Sequence, residues 1–148
     1  MKSALKSVSA NATTHGPERD SLAQKIAWAV PKASSWTYTD PLAPSSFAIV
    51  NNFSLVLLSN GTIQGFGRND YGQLGDGTTT QRTSQVTVSG INNAIDIAAG
   101  FAHSLALLSD GTVKSWGKNN YGQLGNENTG TNQLVPVSVS NLTNIIGI

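Results

Sequence analysis

The chain of 148 residues contains no cysteine. That excludes disulfides, thiolate metal sites and a cysteine nucleophile, and leaves the redox compartment open. Charge is scarce as well: nine basic and eight acidic residues make up 11% of the chain, about half the usual share. A net charge of +1 supplies neither the basic field that holds a phosphate backbone nor an acidic tail. No apolar run approaches the ~20 residues that span a bilayer as a helix. Lys2 and Lys6 are not followed by an apolar core, so Met1–Ala10 does not read as a signal peptide. The location stays open, with a slight preference for the cytoplasm.

In place of these features stand small polar residues. Ser, Thr, Asn and Gly together account for 60 of the 148 positions, a mixture that favours strands joined by turns over long helices. Composition changes near residue 46. Residues 1–46 hold four of the five prolines and a charge of +2, and read as a leader: a short helix over about 18–30, opened by Pro17, then coil around Trp36 and Tyr38. The leader either packs loosely or serves as a docking arm carried by Trp28, Trp36 and Tyr38.

Beyond the leader the chain repeats itself. Residues 51–75 (NNFSLVLLSNGTIQGFGRNDYGQLG) and 101–125 (FAHSLALLSDGTVKSWGKNNYGQLG) are identical at 14 of 25 positions. The match resumes one residue out of step, with Gln85–Ser89 against Pro136–Ser140 and Asn93–Ile97 against Asn144–Ile148. A fixed period of this size marks stacked units or a propeller. Unit one runs over about 47–92 and unit two over about 93–143, and residues 144–148 open a third. Inside each unit, Asn60-Gly61 and Asp110-Gly111 separate two apolar runs. Such pairs signal a β-hairpin whose type I′ turn sets both residues at positive φ. With one strand before the hairpin and one after it, each unit has four short strands, the content of one propeller blade. The fold class expected is therefore all-β.

The two units act as an internal control on chemistry, because a group that moves protons cannot become an amide and still do so. Asp110 stands where the other unit has Asn60, Asp70 opposite Asn120, and Asp76 opposite Asn126. These carboxylates read as turn formers. His103 stands opposite Phe53 and reads as a packed histidine; alone and without cysteine it makes a poor zinc site. The stretch from Gly65 to Asp70 lacks the third glycine and the following helix of a dinucleotide fingerprint, and no Gly-x-Ser-x-Gly elbow occurs. No catalytic residue, metal or cofactor is expected.

From Leu108 to Gly125 the sequence Leu-Ser-Asp-Gly-Thr-Val-x-x-Trp-Gly-x-Asn-x-Tyr-Gly-Gln-Leu-Gly resembles the repeat of the regulator of chromosome condensation family. Ala98–Ser104 is similar to the lead-in of that repeat. Unit one matches more loosely, since Val50-Asn51-Asn52-Phe53 replaces Gly100-Phe101-Ala102-His103. The resemblance covers about residues 47–148. It implies four-stranded blades, usually seven to a ring, and a protein that works by binding proteins. Family roles include nucleotide exchange on a Ran-type GTPase, chromatin docking and, in bacteria, inhibition of a β-lactamase. This chain supplies about two blades.

The reading is therefore a partial propeller that acts as a non-catalytic protein-interaction scaffold. The alternatives are a guanine-nucleotide exchange factor and an inhibitor or ligand-binding propeller. The shared Asn-x-Tyr-Gly-Gln-Leu-Gly block reads as scaffold. Binding residues are sought where the units differ and in the loops: Arg68, Asp70, Arg82, Lys118, Asn120, Tyr121 and Glu127. The partner is a protein of unknown identity; neither nucleic acid nor membrane is indicated. Open blade sides also predict self-association.

Overall fold

A computed structural model describes residues 42–50 and 52–148. The helix expected over 18–30 and the aromatic residues of the leader lie outside the described residues. Eight strands follow in order: β1 (Pro44–Val50), β2 (Phe53–Leu58), β3 (Ile63–Gly67), β4 (Arg82–Thr87), β5 (Ala94–Ala99), β6 (His103–Leu108), β7 (Val113–Gly117) and β8 (Gln133–Ser138). They form two four-stranded antiparallel sheets, ordered β1-β2-β3-β4 and β5-β6-β7-β8. Each sheet is a meander, a blade whose neighbours in sequence are neighbours in space. The fold is all-β as the turn-rich composition implied, and β1 starts at Pro44, inside the segment read as leader.

The repeat extends to the irregularities of the sheets. The β1–β2 register shifts between Pro44 and Ser46, and the β5–β6 register between Ala94 and Asp96. The β3–β4 ladder shifts between Gly65 and Gly67, and β7–β8 between Ser115 and Gly117. A bulge adds one residue and twists its strand, so the two sheets are bent at the same places.

The blades pack face to face. Alternate residues of a strand point to opposite faces. Phe53, Leu55 and Leu57 of β2 share a buried cluster with Ala106 and Leu108 of β6 and Trp116 of β7. Ile63, Leu74 and Val88 complete it from blade one, and Ala94 and Ile97 from β5. Each large side chain buried here contributes about 1.5–3 kcal/mol. Thus the face of blade one that carries odd-numbered β2 residues meets the face of blade two that carries even-numbered β6 residues. Neither blade buries this surface alone.

The hairpins form where expected, but not with the expected turn. In each, glycine alone takes positive φ, +80° at Gly61 and +78° at Gly111. Gly61 N–H donates to Leu58 O and Leu58 N–H to Thr62 O, both at 2.9 Å. This is a three-residue loop in which a type I turn closes on a left-handed glycine. The side chain before the glycine explains the difference. Asn60 Oδ1 accepts from Thr62 N (3.0 Å) and Thr62 Oγ1 (2.6 Å), and Asp110 Oδ1 from Thr112 at 3.0 and 2.7 Å. An acceptor reaching two residues ahead sustains this turn without a second positive φ. Hydrogen bonds from the Thr112 side chain and backbone hold the exposed Asp110 carboxyl below its ordinary pKa.

The hairpin turns are also seats for the next unit. Ala94 N–H donates to Gly61 O at 3.0 Å, and Ile145 N–H to Gly111 O at 3.1 Å. Residues 144–148 thus occupy the seat that a third unit would use. They form no strand, because no described strand stands where His103–Leu108 stands beside β5. A Cβ on Gly61 would lie 2.6 Å from Asn92 O, whereas one on Gly111 would come no nearer than 3.2 Å to its nearest neighbour, Asn144 Cα. Both glycines bear the left-handed penalty of about 1–2 kcal/mol for any other residue. Gly61→Ala is therefore expected to lower the melting temperature more than Gly111→Ala, with Asp110→Asn nearly neutral. Equal calorimetric shifts for the two glycine variants would contradict the seating of blade two on the Gly61 turn.

Candidate protein-interaction surface

The long β3–β4 and β7–β8 loops are each tied around one buried asparagine. Asn69 Oδ1 accepts from Leu74 N at 2.9 Å, while its Nδ2 donates to Asp76 Oδ1 and Thr78 O, both at 3.0 Å. Asn119 repeats the knot with Leu124 N (3.1 Å), Asn126 Oδ1 (3.2 Å) and Asn128 O (2.8 Å). A primary amide sets a two-proton donor beside a separate acceptor atom at one side-chain end. Gln73 Oε1 and Gln123 Oε1 accept from Tyr71 N and Tyr121 N at 3.0 and 2.9 Å. The shared block is thus a self-contained loop scaffold that needs both amides.

Two residues sought as binders are engaged within these loops. Arg82 Nε lies 2.8 Å from Asp76 Oδ2, and the Asp76 side chain is only 6% exposed. Burial pushes the Asp76 carboxyl up, but hydrogen bonds from Thr78, Arg82 and Asn69 outweigh it and hold the group below its ordinary 3.8. The stability it contributes is complete above that value and is lost as pH falls through the lowered one. Glu127 sits at φ +63°, where its counterpart Gly77 has φ +81°, and its carboxylate accepts from Asn141 Nδ2 at 3.3 Å. A left-handed conformation costs a non-glycine residue about 1–2 kcal/mol, part of which glycine's looser unfolded state takes back. Glu127→Gly is therefore expected to stabilise the chain by about 0.5–1 kcal/mol; a lower denaturation midpoint would contradict this.

The other candidates come together. Lys118 Nζ lies 4.9 Å from the centroid of the Tyr71 ring and 5.9 Å from that of Tyr121. Arg68 Cζ lies 5.9 Å from the Tyr71 centroid and Arg68 Nε 2.6 Å from Asp70 Oδ2. The result is a row, Arg68–Tyr71–Lys118–Tyr121, in which cations and rings alternate across the boundary between the blades. Each such contact contributes about 0.5–1 kcal/mol at an exposed site, and an exposed pair like Arg68–Asp70 little more. Asn120, beside Tyr121, is exposed. Tyr121 is 86% exposed, so the fold itself makes little use of its ring.

Tyr71 was not among the residues sought, because it lies in the shared block read as scaffold. Its backbone serves the loop and its ring serves the row. Ser104 and Trp116 were also missed: Ser104 Oγ and Trp116 Nε1 donate to the same carbonyl, Gln73 O, at 2.7 and 2.9 Å. They clamp the loop of blade one onto blade two. His103 takes the place of Phe53 at the edge of the opposite face, with its ring against Gly100; burial lowers its pKa below 6.5. Among the described residues no three His, Cys, Asp or Glu group to hold a metal.

Comparison with known proteins agrees with this architecture. Models of the regulator of chromosome condensation (RCC1) repeat match residues 45–73 and 94–123 in one version, and 60–107 and 110–148 in another. No curated protein matches. Among solved structures, Prp20p from Saccharomyces cerevisiae is 22% identical with a TM-score of 0.63, covering 71% of this chain and 27% of that one. Human WBSCR16 is 24% identical (TM-score 0.58; 65% and 25% covered). Yeast RCC1 (Prp20) bound to Kap60 is 24% identical (TM-score 0.62; 75% and 26% covered). Prp20p is described with its binding properties to Gsp1p and histones. At these identities the likeness is one of fold, and the chain spans about a quarter of the length of each neighbour.

Proposed function

The chain belongs to the regulator of chromosome condensation repeat family, and from that premise we propose that it is a non-catalytic protein-binding module whose contact surface is the row Arg68–Tyr71–Lys118–Tyr121. The observation that carries this reading is the position of the row. It crosses the blade boundary on the outside of two internally tied loops and ends on an exposed tyrosine. Tyrosine and arginine are enriched among residues that dominate binding energy, and loops held by rigid strands are where such residues gather. The acidic side chains of this part, Asp70 and Asp76, are engaged with Arg68 and Arg82, consistent with binding and not with proton transfer.

Gsp1p and histones, which Prp20p binds, are the first protein probes. The isolated chain is expected to bind one of them in calorimetry, and Tyr71→Ser with Lys118→Ser to weaken that binding several-fold, measured well below a melting temperature that loss of the ring–cation contacts lowers by a few degrees. Unaltered affinity in the double variant would remove the row from the reading. Guanine-nucleotide exchange is the alternative. An exchange surface draws on several rigid blades, so the 148 residues are expected not to accelerate release of labelled GDP from a Ran-type GTPase. Accelerated release would favour the exchange reading over the scaffold.

A further inference from the structure

The sequence contains a single Asn-Gly pair, Asn60-Gly61, beside two Asp-Gly pairs, Asp76-Gly77 and Asp110-Gly111. Asparagine is among the thermolabile residues, and a following glycine makes it the most reactive. The glycine nitrogen, once it has lost its proton, can attack the asparagine Cγ, and no glycine side chain stands in the way. Asn60 is exposed, so water reaches its carboxamide.

The closed turn opposes this attack in two ways. The nucleophile's proton is engaged, since Gly61 N–H donates to Leu58 O at 2.9 Å. The electrophile is engaged too: Asn60 Oδ1 accepts from Thr62 N at 3.0 Å and from Thr62 Oγ1 at 2.6 Å. To form a ring, the carboxamide must leave Thr62 and Gly61 N–H must leave Leu58. Local opening of a surface turn costs less than global unfolding.

From this geometry we infer that Asn60 is a modification site, a deamidation site that the closed hairpin guards through Thr62 and that reacts when the turn opens. The step balances. Gly61 N gives up its proton and bonds to Asn60 Cγ, the Cγ–Nδ2 bond breaks, and ammonia leaves with the proton. Water then opens the cyclic imide. Addition at Cγ leaves aspartate at position 60. Addition at the main-chain carbonyl of residue 60 leaves isoaspartate, in which the backbone runs through the former side chain.

The two products differ in fit. Aspartate is accommodated, because Asp110 holds the same place in unit two and accepts from Thr112 N and Oγ1 at 3.0 and 2.7 Å. Isoaspartate adds a carbon to the main chain of a loop closed by the Gly61–Leu58 and Leu58–Thr62 hydrogen bonds. It displaces Gly61, whose carbonyl takes Ala94 N–H at 3.0 Å and where even a Cβ would lie 2.6 Å from Asn92 O. Rearrangement at residue 60 therefore loosens blade two from its seat. Asp110 is a much poorer electrophile, because hydrogen bonds from Thr112 keep its carboxyl ionised.

The test holds the chain at mildly alkaline pH and body temperature, folded or in guanidinium chloride, and locates the mass gain by peptide mapping. In guanidinium chloride Asn60 is expected to react faster than any other asparagine; in the folded chain its rate is expected to fall several-fold. Thr62→Val, which removes the hydroxyl donor, is expected to speed the folded reaction several-fold, and Thr62→Ser, which keeps the donor, to leave it near the parent rate. Faster reaction at another asparagine overturns the assignment of the site. Equal rates in the folded and unfolded chain, or equal rates for Thr62→Val and Thr62→Ser, overturn the guard. Asn60→Asp is expected to melt with the parent, and the isoaspartate fraction, identified by isoaspartyl methyltransferase labelling, several degrees lower. Coincident melting of the two products overturns the link to the seat of blade two.

Discussion

Trp116→Ala is expected to cost about 3–5 kcal/mol, the range for removing a large buried aromatic, and to uncouple the two blades. Trp116 is fully buried in the shared cluster, and its indole N–H reaches Gln73 O at 2.9 Å. Truncation opens a cavity between the blades and removes one of the two donors to that carbonyl. Against a stability of about 5–15 kcal/mol for an ordinary domain, this is a large fraction. Trp116→Phe separates the two contributions. It keeps most of the packing and removes one donor while Ser104 Oγ still serves Gln73 O, so a cost of about 0.5–1.5 kcal/mol is expected, the net worth of one hydrogen bond. Urea denaturation of both variants measures the difference. A loss below about 1 kcal/mol for alanine would mean that the blades do not depend on this joint.

The second large effect is expected for Asn69→Asp. Asn69 is fully buried, and its amide nitrogen donates to Asp76 Oδ1 at 3.0 Å and to Thr78 O at 3.0 Å. A carboxylate there keeps the acceptor for Leu74 N–H and loses the donor, and it faces Asp76, itself nearly buried. Breaking a buried charge arrangement in this way costs about 3–5 kcal/mol. Asn119→Asp is expected to cost less, because its amide faces Asn126 Oδ1, and that amide can turn to present its own N–H. The pH dependence carries the sign. Protonation restores a donor to the new carboxyl, so Asn69→Asp is expected to regain stability as pH falls from 7 toward 5. The parent has no such gain over this range: Asp76 keeps its contribution until pH drops below its ordinary 3.8, and His103, whose pKa burial lowers, costs stability as pH falls below 6.5. A pH-independent deficit would show that the loss arises from packing and not from the missing proton.

The four strands of each unit were legible because the signals are local. The apolar run from Leu105 to Leu108, the turn at Asp110-Gly111 and the run from Val113 to Trp116 determine a hairpin without help from the rest of the chain. The turn type was misjudged for a reason equally local. Asn-Gly and Asp-Gly favour a two-residue turn, but the threonine that follows gives the side-chain oxygen two donors to reach, and that interaction selects the longer loop. Comparison of the two units read Asp70, Asp76 and Asp110 as turn formers; Asp76 and Asp110 accept from the threonine two places ahead, whereas Asp70 meets Arg68. The same comparison hid Tyr71. Identity between units was taken as the mark of scaffold, yet a ring whose backbone serves the loop also faces Lys118 of the neighbouring blade.

By itself, then, the sequence determined the period, the strand content and the position of each hairpin, since each is written in local pattern. Only the tertiary structure decided which faces meet. Odd-numbered β2 residues pack against even-numbered β6 residues because Ser104 and Trp116 find the Gln73 carbonyl, partners 31 and 43 positions away in the chain. Whether a tyrosine of the repeated block is half-buried, as Tyr71, or exposed, as Tyr121, follows from whether a neighbouring blade stands over it. Two nearly identical segments cannot encode that difference, because the covering atoms belong to another part of the chain.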